Sequence, residues 1–84
     1  MDKEYMLKKV NARLKVLRDK YIIYLTDHDE DGREVSAGYG KQLRTKTKRD
    51  ICILTLIQKL LLTSSSVYIE DDDAIMGFDK LIGE

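Results

Sequence analysis

Residues 50–62 read Asp-Ile-Cys-Ile-Leu-Thr-Leu-Ile-Gln-Lys-Leu-Leu-Leu, the only long, nearly unbroken apolar stretch in the chain. Polar side chains near and within it follow the period of an α-helix, at Lys48, Cys52, Thr55 and Lys59. The Thr-Lys-Arg-Asp sequence at 47–50 has the form of a capping box, which places the start of the helix at Thr47. We therefore predict a central helix, residues 48–62, against which the other elements pack.

The bulk composition predicts one small protein domain, residues 1–84, with a modest core. Cys52 is the only cysteine, so no disulfide forms within the chain, as is usual for proteins of a reducing compartment. The charged start of the sequence lacks the pattern of a signal peptide, and the central helix is too short and too polar to span a bilayer. We expect a soluble, cytoplasmic protein without membrane contact.

Charge is balanced over the chain but segregated along it. Fifteen basic and fifteen acidic side chains cancel. Residues 1–20 and 41–50 are strongly basic, whereas residues 27–34 and 70–84 are strongly acidic. Such blocks indicate either pairing between patches of the same molecule or a dipolar surface that attracts a charged partner.

A heptad-like apolar stripe predicts a first helix over residues 3–20. Its members are Leu7, Val10, Leu14, Leu17 and Tyr21. A stripe of this length is typical of a helix that packs on its own domain. The alternative is a homodimer in which Leu7, Val10, Leu14 and Leu17 contact a second copy.

The remaining segments predict strands and one short helix. Residues 21–26 and 33–39 have strand-like composition, and Asp31-Gly32 between them is a strong hairpin signal. Residues 67–69 form a candidate third strand, and the acidic residues 71–73 offer N-caps for a last helix. The expected fold class is α+β: an antiparallel β-hairpin, three-stranded if residues 67–69 join it, packed on the central helix. The expected order is α-β-β-α-(β)-α.

The acidic turn resembles the first half of an EF-hand calcium loop, with Asp27, Asp29 and Asp31 at alternate positions before Gly32. The twelfth position is Gly38 instead of a bidentate glutamate, so we predict no metal site and no cofactor. His28, the only histidine, lies at the predicted hairpin tip, away from Cys52 in the central helix. No catalytic set is visible, and we predict that the protein is not an enzyme.

A basic loop before the central helix suggests nucleic-acid binding, because helix N-termini and cations both attract phosphates. Its cations are Lys41, Arg44, Lys46, Lys48 and Arg49. Over residues 21–59 the predicted hairpin, loop and helix resemble the arm-type DNA-binding domains of phage integrases. The chain departs from that pattern because a helix precedes the sheet and the hairpin tip is acidic. A nucleic-acid-binding domain that uses this loop and the basic face of the first helix is the alternative function.

Acidic segments interleaved with tyrosines favour contact with a basic protein surface. The acidic residues are Asp27, Asp29, Glu30 and Asp31 in the turn, and Glu70, Asp71, Asp72 and Asp73 before the last helix. A short α/β domain of this composition resembles the small inhibitors that phages encode, anti-CRISPR proteins among them. That resemblance is one of class, without a shared motif, and the zero net charge departs from strongly acidic nucleic-acid mimics. It implies a non-enzymatic inhibitor that binds a basic surface of a host protein.

Overall fold

In a computed structural model, which describes residues 1–83, the chain folds into three α-helices. Helix α1 spans Lys3–Tyr24, α2 spans Ala37–Thr63 and α3 spans Asp72–Ile82. Each helix has a side-chain N-cap, supplied by Asp2, Ser36 and Asp71. Such caps satisfy backbone N–H groups that have no partner within the helix.

The predicted α+β fold class is wrong, because residues 1–83 contain three helices and no sheet. Of the two predicted hairpin strands, residues 21–26 and 33–39, the first begins inside α1 and the second ends inside α2. The residues between these two helical parts are irregular. Only isolated bridges occur, between His28 and Glu34 and between Asp2 and Tyr68. The β-branched and aromatic residues after Lys20 continue α1 because Tyr21 and Tyr24 extend its apolar stripe, and this packing outweighs strand propensity.

The core lies along the seam between α1 and α2, which run antiparallel. Val10, Leu14 and Leu17 of α1 are buried, as are Leu54 and Leu61 of α2. The first predicted helix is therefore confirmed, and its stripe packs within the domain. Its start at Lys3 agrees with the prediction, although the helix continues to Tyr24 instead of Lys20.

Helix α2 begins more than two turns earlier than predicted. Thr47 is not an N-cap, since it lies inside the helix and is buried against α1. The N-cap is Ser36, whose hydroxyl accepts a hydrogen bond from the backbone N–H of Tyr39 at 3.2 Å. The early turns contain Gly38 and Gly40, which lower helix propensity and hide the true start from sequence reasoning. The predicted end of the helix near Leu62 is correct within one residue.

Helix α3 covers one end of the α1–α2 pair. It begins after Asp71, whose carboxylate accepts from the Ala74 N–H at 2.9 Å, and ends at Gly83 in a left-handed conformation. Before α3 begins, the backbones of Met1 and Ile69 pair with each other, which anchors the connecting segment to the start of α1. Phe78 and Ile82 are buried in the common core, so the predicted last helix is confirmed.

The α1–α2 loop is fixed by an ion pair at the opposite end of the molecule. The Arg44 guanidinium donates hydrogen bonds to the Asp27 carboxylate at 2.7 Å and to the Tyr24 carbonyl at 2.9 Å. Asp27 has φ of +56°, a left-handed conformation that aspartate adopts more readily than most residues. Gly40 is buried beneath this pair, and a Cβ atom there would collide with the Asp27 carboxylate and press on Arg44.

We expect Gly40→Ala to destabilise the protein by about 1–3 kcal/mol, because the added methyl group displaces the Asp27–Arg44 pair. Gly38→Ala, in the same turn of α2 but with open space around the new methyl, should stabilise by up to about 1 kcal/mol. Urea unfolding followed by circular dichroism measures both changes. Equal effects of the two substitutions would contradict the described packing of the loop.

Candidate interaction surfaces

An open apolar groove lies between α2, α3 and the segment that connects them. Its volume is about 460 Å³, and Met6 of α1 forms part of its wall. The helix residues on its two sides are Ile57, Leu60, Leu61, Ala74, Gly77, Phe78 and Leu81. Val67 and Ile69 line it from the connecting segment. Apolar grooves of this kind on small proteins are typical sites for a helical segment of a partner.

The groove opens onto an exposed apolar stripe of α2. Ile53, Leu56 and Leu60 are 36%, 62% and 66% exposed, at the three- and four-residue spacing of one helix face. Leu60 belongs to both the stripe and the groove wall, so the two surfaces are continuous. In the N-terminal direction the same spacing continues to the exposed Arg49 and Lys46. We call Lys46, Arg49, Ile53, Leu56 and Leu60 the outer stripe of α2.

The acidic residues 70–73 lie at the groove end of the molecule. All four of their side chains are exposed, and only Asp71 has a capping role. Ile69, which precedes them, lines the groove. Carboxylates at the start of α3 are stabilised by the helix dipole and by their exposure to water. The groove therefore has an apolar wall and an acidic rim.

The acidic turn lies at the other end of the molecule, beyond the opposite terminus of α2. A helix of 27 residues is about 40 Å long, which separates this turn from residues 70–73. Most of its acids have local partners. Asp27 pairs with Arg44, Asp29 accepts from the N–H groups of Asp31 and Arg33, and Glu30 accepts from the Tyr24 hydroxyl at 3.0 Å. The two predicted acidic segments thus do not form one continuous surface.

Tyr24 and Glu30 have shifted pKa values with identifiable causes. Burial, together with the hydrogen bond and charge of Glu30, raises the pKa of Tyr24 to about 12. The pKa of Glu30 is lowered by hydrogen bonds from its own backbone N–H and from the Tyr24 hydroxyl. Both shifts belong to the packing of the loop on α1, in a small cleft that Arg13, Lys20, Lys46 and Asp50 also line.

The five predicted nucleic-acid-binding cations lie in α2 and not in a loop, and they point in different directions. Arg44 is committed to Asp27, and Lys46 and Arg49 belong to the outer stripe. Lys41 lines a surface pocket together with Lys46 and Arg49, and Lys48 lies one heptad further along α2. Sequence reasoning placed these cations together because it treated the first turns of α2 as a loop.

Lys41 and Lys48 form part of a wider basic face on the side of the α1–α2 pair that α3 leaves uncovered. Each cation of this face lies two residues along its helix from a side chain that faces the α3 side. Because two residues correspond to a rotation of about 200° around a helix, these cations point away from α3. Its exposed cations are Lys8, Lys15, Arg18, Lys41, Lys48 and Lys59. The acids on this side are Glu4 and Asp19, of which Asp19 contacts Lys15 at 3.4 Å.

The residues predicted as a homodimer face are largely inside the domain. Val10, Leu14 and Leu17 are buried in the core, and the half-buried Leu7 packs against it. These side chains therefore have little surface to offer a second copy. Exposed apolar side chains at three- and four-residue spacing lie on α2, and others, such as Ile22 of α1 and Met76 of α3, lie elsewhere on the surface.

His28 and Cys52 are far apart along the fold. The His28 ring contacts the hydroxyl and carbonyl of Thr26 in the α1–α2 loop, and Cys52 is exposed on α2. Within residues 1–83, no three His, Cys, Asp or Glu side chains group in a way that could hold a metal ion. The EF-hand-like aspartates instead cap their own loop and pair with Arg44.

A scan against protein-family models finds no match, and searches of curated proteins and of solved structures find none either. None of the helices in the described part of the chain is long and apolar enough to cross a membrane.

We expect alkaline titration to show one tyrosine of the five with a pKa near 12, and Tyr24→Phe to remove that late phase. Because the pKa of Tyr24 is raised on folding, its contribution to stability is complete below pH 10 and is lost as pH rises toward 12. Absorbance of the phenolate measures the titration, and thermal melts follow stability over the same range. As the control, Tyr68→Phe removes an exposed tyrosine and should leave the late phase intact. Coincident titration of all five would contradict burial of Tyr24.

Proposed function

We propose that the protein is a non-enzymatic interaction module that binds an amphipathic, basic helix of a protein partner in the groove between α2 and α3. The observation that carries this proposal is the joining of three surfaces. An apolar groove, the exposed residues Leu56 and Leu60, and the acidic residues 70–73 meet at one end of a small domain.

Burial of apolar surface supplies the affinity of such a contact. Side chains as exposed as Leu56 and Leu60 gain roughly 25 cal/mol for each Å² of apolar area removed from water. Three adjacent side chains of this kind, next to an open groove, form a patch that a monomer rarely leaves in contact with water.

The acidic rim selects the charge of the partner. Glu70 and Asp73 are exposed and have no capping bond of the kind that Asp71 makes, so they are accessible to lysine or arginine side chains that flank an apolar helix face. Such rim charges contribute to association rate and partner choice more than to affinity. A phage-type inhibitor would use this surface to cover a basic helix of its host target, with the acidic turn 27–31 left outside the contact.

We expect a helical peptide of about 18 residues, five turns with leucines at heptad spacing and lysines elsewhere, to bind the protein in a fluorescence anisotropy assay. The same peptide with glutamates in place of the lysines, and therefore of opposite charge, should bind at least roughly tenfold more weakly, because the acidic rim repels it. Leu56→Gln with Leu60→Gln should abolish binding.

Leu62→Gln is the matched control for this assay. Leu62 is 62% exposed, as Leu56 is, but lies on another face of α2, so its substitution should leave peptide affinity unchanged. Glu70→Lys with Asp73→Lys should remove the preference between the two peptides, because residues 70–73 then carry no net charge. Equal binding of both peptides by the wild-type protein, or equal loss in Leu62→Gln, would contradict the proposed site.

Nucleic-acid binding is the second candidate function, and the basic face of α1 and α2 favours it. Six exposed cations occupy one side of a two-helix layer, with two acids among them. Cations spread along a surface of this length can neutralise several phosphates of a duplex and release their counterions. This face lies away from the groove, so the two functions use separate surfaces.

If the basic face binds nucleic acid, a labelled DNA duplex should bind at low salt with affinity that falls steeply as salt rises. Lys15→Glu with Lys48→Glu should weaken binding and flatten the salt dependence. Lys46→Glu with Arg49→Glu makes the same change of charge on the outer stripe and should have a smaller effect. Equal losses in the two variants would show a non-specific charge effect and contradict a defined basic face.

A further inference from the structure

The outer stripe of α2 has two chemically different halves. Lys46 and Arg49 form a basic half, and Ile53, Leu56 and Leu60 form an apolar half one or two turns further along the helix. This is the pattern required of the partner helix under the proposed function: an apolar face at heptad spacing, flanked by cations. The chain therefore carries both a groove with an acidic rim and a helix of the kind that fits it.

We propose that the partner is a second copy of this chain, bound as an antiparallel, two-fold symmetric dimer through the outer stripes of α2. The inference rests on the proposed function, since the outer stripe adjoins the groove at Leu60 and the inference names the occupant of that stripe. In the dimer, the apolar halves of the two stripes pack on each other at the centre. The basic half of each copy contacts the acidic residues 70–73 of the other.

The spacing along α2 supports the antiparallel register. Leu56 lies midway between Arg49 and Thr63, seven residues from each, so a two-fold axis at Leu56 places Arg49 of one copy opposite Thr63 of the other. Lys46 then lies just beyond the end of the other copy's α2, where its connecting segment leads into residues 70–73 and α3.

The position of α3 brings its acids to the correct side. Lys46 and Arg13 line one cleft. Arg13 is also close to the end of α3, since a Cβ atom at Gly83 would lie 3.0 Å from its guanidinium. Lys46 and α3 therefore lie on the same side of the α1–α2 pair. When two helices lie antiparallel and side by side, the two-fold axis that relates them is perpendicular to both helix axes. Rotation about this axis leaves α3 on the same side of the helix layer in both copies. Lys46 therefore projects toward the start of the other copy's α3.

Charge excludes the parallel arrangement of the same stripes. Parallel packing would place Lys46 and Arg49 beside their own equivalents and leave the acidic residues 70–73 opposite acids. Like charges across an interface cost enough to reject an arrangement. The basic face of α1 and α2 remains on the outside of the antiparallel dimer, so dimerisation does not cover it.

Sedimentation equilibrium of the full chain over a range of concentrations tests the proposal. We expect a monomer–dimer equilibrium, lost in Leu56→Gln with Leu60→Gln and retained in the matched control Leu62→Gln. Lys46→Glu with Arg49→Glu should raise the dissociation constant by on the order of tenfold or more, because acids then face acids. Glu70→Lys with Asp73→Lys should raise it as well, because the acidic segment then has no net charge.

Mixing these two charge variants gives the sharpest result. In the mixed dimer one contact keeps its original charges, and in the other two glutamates face a segment of net zero charge, so the heterodimer should form with higher affinity than either variant alone. Circular dichroism confirms that each variant is folded. Failure of the mixture to associate, or a wild-type protein that stays monomeric at the highest concentration, would overturn the dimer. A monomer that still binds the leucine–lysine peptide would leave the proposed function intact, whereas a dimer that persists in Leu56→Gln with Leu60→Gln would contradict both.

Discussion

The structure depends on the antiparallel seam between α1 and α2. Val10, Leu14 and Leu17 meet Leu54 and Leu61 along it, and neither helix has another extensive partner. A core this narrow stabilises two helices only if their register is fixed, since a slip of one residue turns each stripe away from the seam. Arg44 fixes one end through Asp27 and the Tyr24 carbonyl, and the pairing of Met1 with Ile69 fixes the other.

The sequence predicts those parts of the fold that depend on helical period and capping. The stripe of α1, the apolar run of α2 and the N-cap of α3 at Asp71 are all recognisable from spacing and residue type. The hairpin is wrong because its evidence was local. Asp31-Gly32 does form a tight turn, and His28 bridges Glu34, but no strands extend from it. Strand propensity in residues 21–26 is overridden by continued packing of Tyr21 and Tyr24 on α2, a tertiary effect that propensity does not contain.

The candidate surfaces were predictable in composition but not in placement. Residues 27–31 and 70–73 are acidic, as expected, yet α2 separates them by its whole length. The cations of residues 41–49 are exposed apart from Arg44, which is half-buried, yet the helical period distributes them over several faces. Ile53, Leu56 and Leu60 belong to the apolar run that predicts a central helix covered by the other elements. Without the predicted sheet, and with α3 covering only one end, these side chains contact water.

The charge of α2 connects its fold to its surfaces. From Lys41 to Lys59 the helix carries six basic side chains and one acidic side chain, Asp50, and it has no acid in its first turn. Cations toward a helix N-terminus oppose the helix dipole, so this distribution does not favour an isolated helix. Arg44 is compensated by Asp27 at 2.7 Å, and Arg49 by its neighbour Asp50 at 3.7 Å. Exposed cations and exposed leucines on one helix, with unpaired carboxylates at its far end, form a surface that is complementary to itself when one copy is reversed. In the proposed dimer, the arrangement that costs stability in one chain is relieved by the antiparallel copy.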